Sequence, residues 1–357
     1  VKRGIEFGPE RRPERGYGTT VPAPIKERDL AVIGLSSGPS QTLRRVRLIA
    51  GVVFTLVTLG ACVLLGNRLT HSSWPLAHAR MVLVAAAAAC YFASFVLRAR
   101  GWHRLFPREE QPSISRCLAS VGAAAASGMV LPFRLDYLIK IGTLRRLGGI
   151  RVGLEAIALS IVSLGMVDAV AMLPLSISAT ATSSSGFRGP LLIVVLFGLT
   201  CIGLLFASTQ LSRLPLLNRI GKLRSLANHL SHHRTPAGRR NTLAAGLYLF
   251  GCWTTRAVGS AVLLSSLGFA FSPTTALCVL CLSAAASVIP ITSGGAVANV
   301  GATAGILLAL GAGKDMAINF SLASGLLIVT SALAAGLVGA ICSVGGTLLD
   351  RRALQTA

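Results

Sequence analysis

The sequence predicts an all-α polytopic membrane protein with about six full spans and two opposed re-entrant helical hairpins arranged as an inverted repeat. Three observations carry that expectation. Of 357 residues, 53% are hydrophobic and 13% charged, with a mean hydropathy of +0.69, beyond the balance of a water-soluble domain. Apolar runs close to the roughly 20 residues that cross a bilayer core recur at 48–66, 81–97, 152–175, 190–208, 243–267 and 316–344. Lysine and arginine gather at the ends of these runs, so the net charge of +22 reads as a positive-inside bias and contact with anionic inner-leaflet lipids. Nucleic acid is not expected as a partner.

Residues 1–43 are polar and rich in Pro, Arg and Glu (PERRPERGYGTTVPAPIKERD). They are too long and too charged for the n-region of a signal peptide and are expected to form a disordered cytoplasmic tail. The first transmembrane half, 44–180, begins at Arg44, Arg45 and Arg47 and crosses outward over 48–66. The next run returns to Arg98, Arg100, Arg104 and Arg108, which mark a second cytoplasmic end.

The apolar run 117–131 is too short to cross and is followed by Arg134, Lys140, Arg145, Arg146 and Arg151. Both of its ends thus face inward, which predicts a re-entrant hairpin over 117–147 turning near Ser127–Pro132, where the proline breaks the helix. From Arg151 a long span rises to SATATSSSGFRG, an expected external loop, and 190–208 descends. Residues 211–240 then form a basic cytoplasmic loop with leucines at helical spacing, suited to the inner leaflet.

The second half, 181–348, is expected to repeat the plan upside down. After span 243–267, two short runs flank PITSGGAVANV and form a hairpin over 274–311 entering from outside, and 316–344 returns to a cytoplasmic C-terminus at 349–357. AAAASGMVLP at 123–132 echoes AAASVIP at 284–290. Inverted repeats of this kind place binding sites at mid-membrane, and non-helical tips at that depth require a polar cavity. Both termini are then cytoplasmic, in a multi-pass protein of the cell membrane.

The eight cysteines do not form a framework: Cys278 and Cys281 make a CxxC without a second pair, and read as packing residues one helical turn apart. His229, His232 and His233 read as part of the basic loop. No metal and no cofactor are expected.

The charges placed in apolar surroundings are the candidate site. Asp168 lies about 24 Å into its span at 1.5 Å per residue, and Arg256 reaches a similar depth, so an Asp168–Arg256 pair is expected to neutralise both. Asp136 and Lys140 share a helical face at i,i+4. With Arg134 they either hold an anionic headgroup or snorkel to the inner surface. At the opposing tip, Thr292, Ser293, Gly294, Gly295 and Asn299 offer hydroxyls, an amide and backbone N–H groups ahead of a helix N-terminus, a setting for an anion.

Three segments, LRARGWHRLF at 97–106, LPFRLDYLIKIGTLRR at 131–146 and PITSGGAVANVGATAGILLALG at 290–311, together resemble the lysylphosphatidylglycerol synthase transmembrane-region family, the flippase-like integral membrane domain. That family's pattern has Arg-Trp after the second span, Pro-x-Arg-x-Gly-Glu-x-x-Arg, and later Pro-Gly-Gly-x-Gly. Here Gly101 separates Arg100 from Trp102, and Pro132, Arg134 and Lys140 fit the second motif, with Asp136 and Tyr137 where the pattern has Gly-Glu. The resemblance covers about 45–346 and implies a standalone member without the synthase domain.

The function expected from hairpins, charges and resemblance together is translocation of an anionic phospholipid or lipid-linked sugar between leaflets. Two alternatives stay open: a membrane-embedded glycosyl- or aminoacyl-lipid transferase, and an accessory scaffold. The transferase lacks paired carboxylates, a metal cluster or a nucleophile–base pair in the sequence, so no enzymatic residue is assigned.

Overall fold

Long apolar helices dominate because the chain offers little else: alternating strand patterns are absent and the apolar runs are rich in Ala, Leu and Val, which favour helix in a medium that leaves no backbone group to water. The computed structural model describes residues 76, 79–107, 110–128, 131, 135–148, 153–183, 185–211, 236–269, 272–288 and 295–356. Among these residues there are nine helices and no strand: α1 (Met81–Arg104), α2 (Ile114–Gly128), α3 (Asp136–Gly148), α4 (Leu154–Thr182), α5 (Ser185–Leu211), α6 (Pro236–Ser266), α7 (Pro273–Val288), α8 (Gly295–Ala309) and α9 (Lys314–Thr356). Among the described residues five segments are long and apolar enough to cross a membrane: Met81–Arg104, Leu154–Thr182, Gly186–Leu205, Gly238–Ser266 and Lys314–Gly345. The expected first span at 48–66 and the tail 1–43 lie outside the described residues.

The short helices fall where short runs were expected. α2 ends at Gly128 and α3 starts at Asp136 with a packed α2–α3 interface, while α7 and α8 form a second short pair that also packs together. The largest interface joins α1 to α6, the next α9 to α2, and α4 lies against both α5 and α6.

Three boundaries differ from the sequence expectation. The stretch 178–189 is mostly helix, not loop, because its hydroxyls turn back on the helix: Thr180 donates to the Ser176 carbonyl at 2.7 Å and Thr182 to that of Ser178 at 2.9 Å. Pro236–Arg240 already belong to α6 instead of the basic loop, with Pro236 at the first helical position, where its missing N–H costs nothing. The C-terminal residues 349–356 continue α9, whose 43 residues make about 65 Å of helix at 1.5 Å each.

α6 and α8 stop at left-handed glycines, Gly268 (φ 89°) and Gly311 (φ 86°). In both, the following N–H closes a six-residue loop, Phe269 to Leu264 O at 3.1 Å and Ala312 to Leu307 O at 2.9 Å.

Two buried clusters fill the interior. One gathers Phe95, Trp102, Cys117, Leu164, Leu249 and Trp253; the other gathers Tyr91, Leu263, Leu307 and Phe320. Since lipid is as apolar as leucine, helix association depends on close packing of small residues and on interhelical polar contacts.

The α2–α9 seam is the closest approach. A Cβ on Gly122 would meet the Gly336 nitrogen at 2.4 Å, and one on Gly339 would meet the Ala119 nitrogen at 2.4 Å and the Ser115 carbonyl at 2.7 Å. Backbone cannot yield as a flexible side chain does. Gly339→Ala is expected to lower stability by about 1–3 kcal/mol, the usual range for overpacking. Gly345→Ala, with nothing within 4 Å of the added carbon, is expected to leave it unchanged. Thermal unfolding of the two variants in detergent measures the difference.

Candidate functional site

Polar side chains in the described interior converge where α1, α3, α4 and α6 meet. Asp168 is the middle residue of the 29-residue span Leu154–Thr182. Its carboxylate accepts from Arg98 Nη2 of α1 at 2.7 Å and from Trp253 Nε1 of α6 at 2.8 Å, so both oxygens are engaged. The side chains of Arg98 and Asp168 are 23% and 13% exposed. An unpaired charge at mid-span costs roughly 2.5–3.5 kcal/mol on insertion scales, which gives the pair its physical reason.

Asp168 therefore does not pair with Arg256. Arg256 Nε donates to Ser94 Oγ at 3.1 Å, and its guanidinium lies 5.1 Å from the Phe95 ring centre and 5.4 Å from that of Trp253. Counting residues along a helix gives a depth, but depth does not fix the face. Arg98 occupies the face of α1 that meets α4, and Trp253 stands between Asp168 and Arg256.

Arg98 also corrects the reading of its own helix. As one of four arginines at 98–108 it marked a cytoplasmic end, yet it turns inward, on the same α1 face as the buried Ser94 and Trp102. The spacing of Ser94, Arg98 and Trp102 at four-residue intervals, one side of a helix, was the signal that could have found it.

Trp102, fully buried, is fixed by its edge: Nε1 donates to Ser160 Oγ of α4 at 3.1 Å, and Ser160 donates to the Ile157 carbonyl at 2.8 Å. Its face receives Lys140, whose Nζ sits 4.2 Å from the ring centre. Lys140 is 6% exposed, so it points inward instead of snorkelling. Ser120 of α2 donates to the Lys140 carbonyl at 2.5 Å, tying α3 to α2 at that residue.

The i,i+4 arrangement with Asp136 does not become an ion pair. Asp136 lies half-buried in the first turn of α3 with its Cβ against Gly128, while Lys140 feels Arg98, Asp168 and Asp136 only through space. A cation over an aromatic face gains about 2 kcal/mol or more when desolvated, an attraction that sequence spacing cannot reveal.

Taken together, Arg98, Lys140 and Arg256 bring three cations into the interior against the single mid-span carboxylate of Asp168, with Asp136 at the margin. The excess is positive. Of the remaining expected site residues, Arg134, Thr292, Ser293 and Gly294 lie outside the described residues. Gly295 opens α8, and Asn299 lies one turn further along it.

If Arg98 and Asp168 depend on each other, removing one partner strands the other. Asp168→Ala is expected to cost about 3–5 kcal/mol, as for other broken buried pairs, and the Arg98→Ala, Asp168→Ala double variant less than the sum of the two single changes. Because Arg256 reaches Asp168 only through Trp253, combining Asp168→Ala with Arg256→Ala is expected to show weaker coupling than the Arg98–Asp168 pair. Double-mutant cycles on denaturant unfolding in micelles separate the two cases.

Comparison with known proteins adds one finding. No curated protein and no solved structure matches the chain. The family described as Lysylphosphatidylglycerol synthase TM region matches residues 45–336, which include the Arg98–Asp168 pair, Lys140, both tryptophans of the site and both short helical pairs. The chain is a multi-pass membrane protein that belongs to the lysylphosphatidylglycerol synthase TM region family.

Proposed function

We propose that this protein moves an anionic phospholipid or lipid-linked sugar between leaflets, passing the headgroup through its polar interior while the acyl chains stay in the bilayer. The observation that carries the reading is the uncompensated positive charge inside the helix bundle. The Trp102 face offsets only part of the cost of burying Lys140 without a carboxylate in contact. A phosphate entering between Lys140 and the Arg98–Asp168 pair supplies the missing counter-charge and replaces the water that the headgroup leaves behind.

In this reading the short helical pairs within 117–147 and 274–311 are re-entrant hairpins entering from opposite faces of the cell membrane, related as the two halves of an inverted repeat. Their tips bound the headgroup path. By sequence position Arg134 falls between the helices of the first pair, and Thr292, Ser293 and Gly294 between those of the second, ahead of Gly295 and Asn299 in α8. Both chain ends then face the cytoplasm. Asp168 keeps Arg98 oriented; Lys140 and Arg256 are the cations left for substrate. The family match supports a membrane role connected with lipids.

Reconstitution into liposomes carrying labelled lipids of different headgroups tests the proposal. Anionic phospholipids are expected to equilibrate between leaflets faster than zwitterionic ones. Lys140→Gln is expected to slow that exchange by about tenfold or more, the loss of a charged contact. Failure of every labelled lipid to exchange faster than in protein-free liposomes overturns the reading.

A further inference from the structure

Serine and threonine in these apolar helices obey a simple rule. Their hydroxyls donate to the carbonyl one turn back, as Ser176 does to Leu173, Ser321 to Ala317 and Ser266 to Leu263, so that no polar hydrogen is left facing hydrocarbon. Among the buried hydroxyls of the described residues, that of Ser163 is left without a partner. Thr303 is 6% exposed and lines a cavity of about 130 Å³ between α1, α6, α7, α8 and α9.

The same cavity is lined by Arg256, whose bond to Ser94 uses Nε and leaves both terminal guanidinium nitrogens without a partner among the described residues. Tyr91 and Ser260 also line it; they share one hydrogen bond of 3.0 Å, which occupies only one of their two hydroxyl protons. An Arg fork, the Thr303 hydroxyl and one spare proton from the Tyr91–Ser260 pair make a donor-rich, cationic wall. Among the described residues no carboxylate lines the cavity. A planar carboxylate can satisfy the fork alone, whereas donors from three separate helices call for an acceptor with oxygens in several directions.

We propose that this cavity is a binding site for a tetrahedral phosphate oxyanion, free or esterified, held by Arg256 and Thr303 and separate from the Arg98–Lys140 cluster. Trp253 is the partition between the two. Its indole N–H is held by Asp168 and its ring face carries the Arg256 guanidinium, so an anion on Arg256 pulls on the same side chain that orients Asp168. As a second station for a phosphate group the site rests on the interior being an anion path, but its occupancy does not require transport.

The purified full chain in neutral detergent, mixed with radiolabelled inorganic phosphate, gives the test. Wild type is expected to bind saturably. Arg256→Gln is expected to weaken binding by about tenfold or more, and Thr303→Val by about fivefold, the usual values for a charged and a neutral hydrogen bond. Thr303→Ser is expected to restore it. Arg240→Gln, an exposed cation at the start of α6 that does not line the cavity, is expected to leave phosphate binding as in wild type. Thermal unfolding confirms that each variant is folded.

A second arm adds dihexanoyl phosphatidic acid as competitor: displacement of phosphate supports a site open to lipid phosphate, and lack of displacement supports one for the free ion. Binding of the short lipid alone, sensitive to Arg256→Gln, supports the site with a lipid source. Unchanged binding in folded Arg256→Gln, loss in Arg240→Gln equal to that in Arg256→Gln, or no binding of either probe by wild type overturns the proposal. Phosphate binding without lipid exchange in liposomes would sink the transport reading and leave this one standing.

Discussion

One carboxylate in the middle of an apolar helix governs how the described helices associate. Asp168 cannot remain ionised and alone at mid-span, and its two oxygens are met by groups from two other helices, Arg98 on α1 and Trp253 on α6. The pair and the indole therefore pin three long helices together at one depth. α1 and α6 also share the largest interface, so a polar contact and extensive packing act on the same pair. In water such a contact competes with hydration; in lipid the competitor is an exposed charge.

That pinned core is where the short helices deliver their side chains. α2 is set against α9 by glycines whose backbones touch, and α3 is joined to α2 through the Ser120 hydroxyl and the Lys140 carbonyl. The Lys140 ammonium over Trp102 is thus positioned by a chain of contacts that begins at Gly122 and Gly339. Trp102 in turn depends on Ser160 of α4, the helix that carries Asp168. A small residue on α9 and a charge above α1 belong to one mechanical path, although they share no direct contact.

Much of this was legible in the sequence because a bilayer imposes strict rules on length and charge. The long helices lie where apolar runs of sufficient length occur, and the short pairs lie where runs are too short. Asp168 stood out as a carboxylate deep in a span. Its partner did not, since counting residues gives depth while the facing helix surface is decided by packing. Arg98 was hidden by its neighbours: beside Arg100 and Arg104 it resembled an ordinary flanking charge. The stretch 178–189 misled for a related reason, as small polar residues suggest a loop until their hydroxyls are seen donating back to the helix.

The same accounting of hydroxyls separates the structural from the functional part of the interior. Where a serine or threonine can return its proton to its own helix, it does so, and the surface it leaves is nearly apolar. Lys140 and Arg256 have no such local solution: an ammonium rests on an aromatic face, and a guanidinium keeps two nitrogens open. Each on its own is a small deficit. Arg256 lines a cavity with Thr303, Lys140 lies near Asp168, and Trp253 stands between the two places. Donors grouped in this way, in a medium that penalises each one left unmet, are the physical ground of the anion sites proposed above.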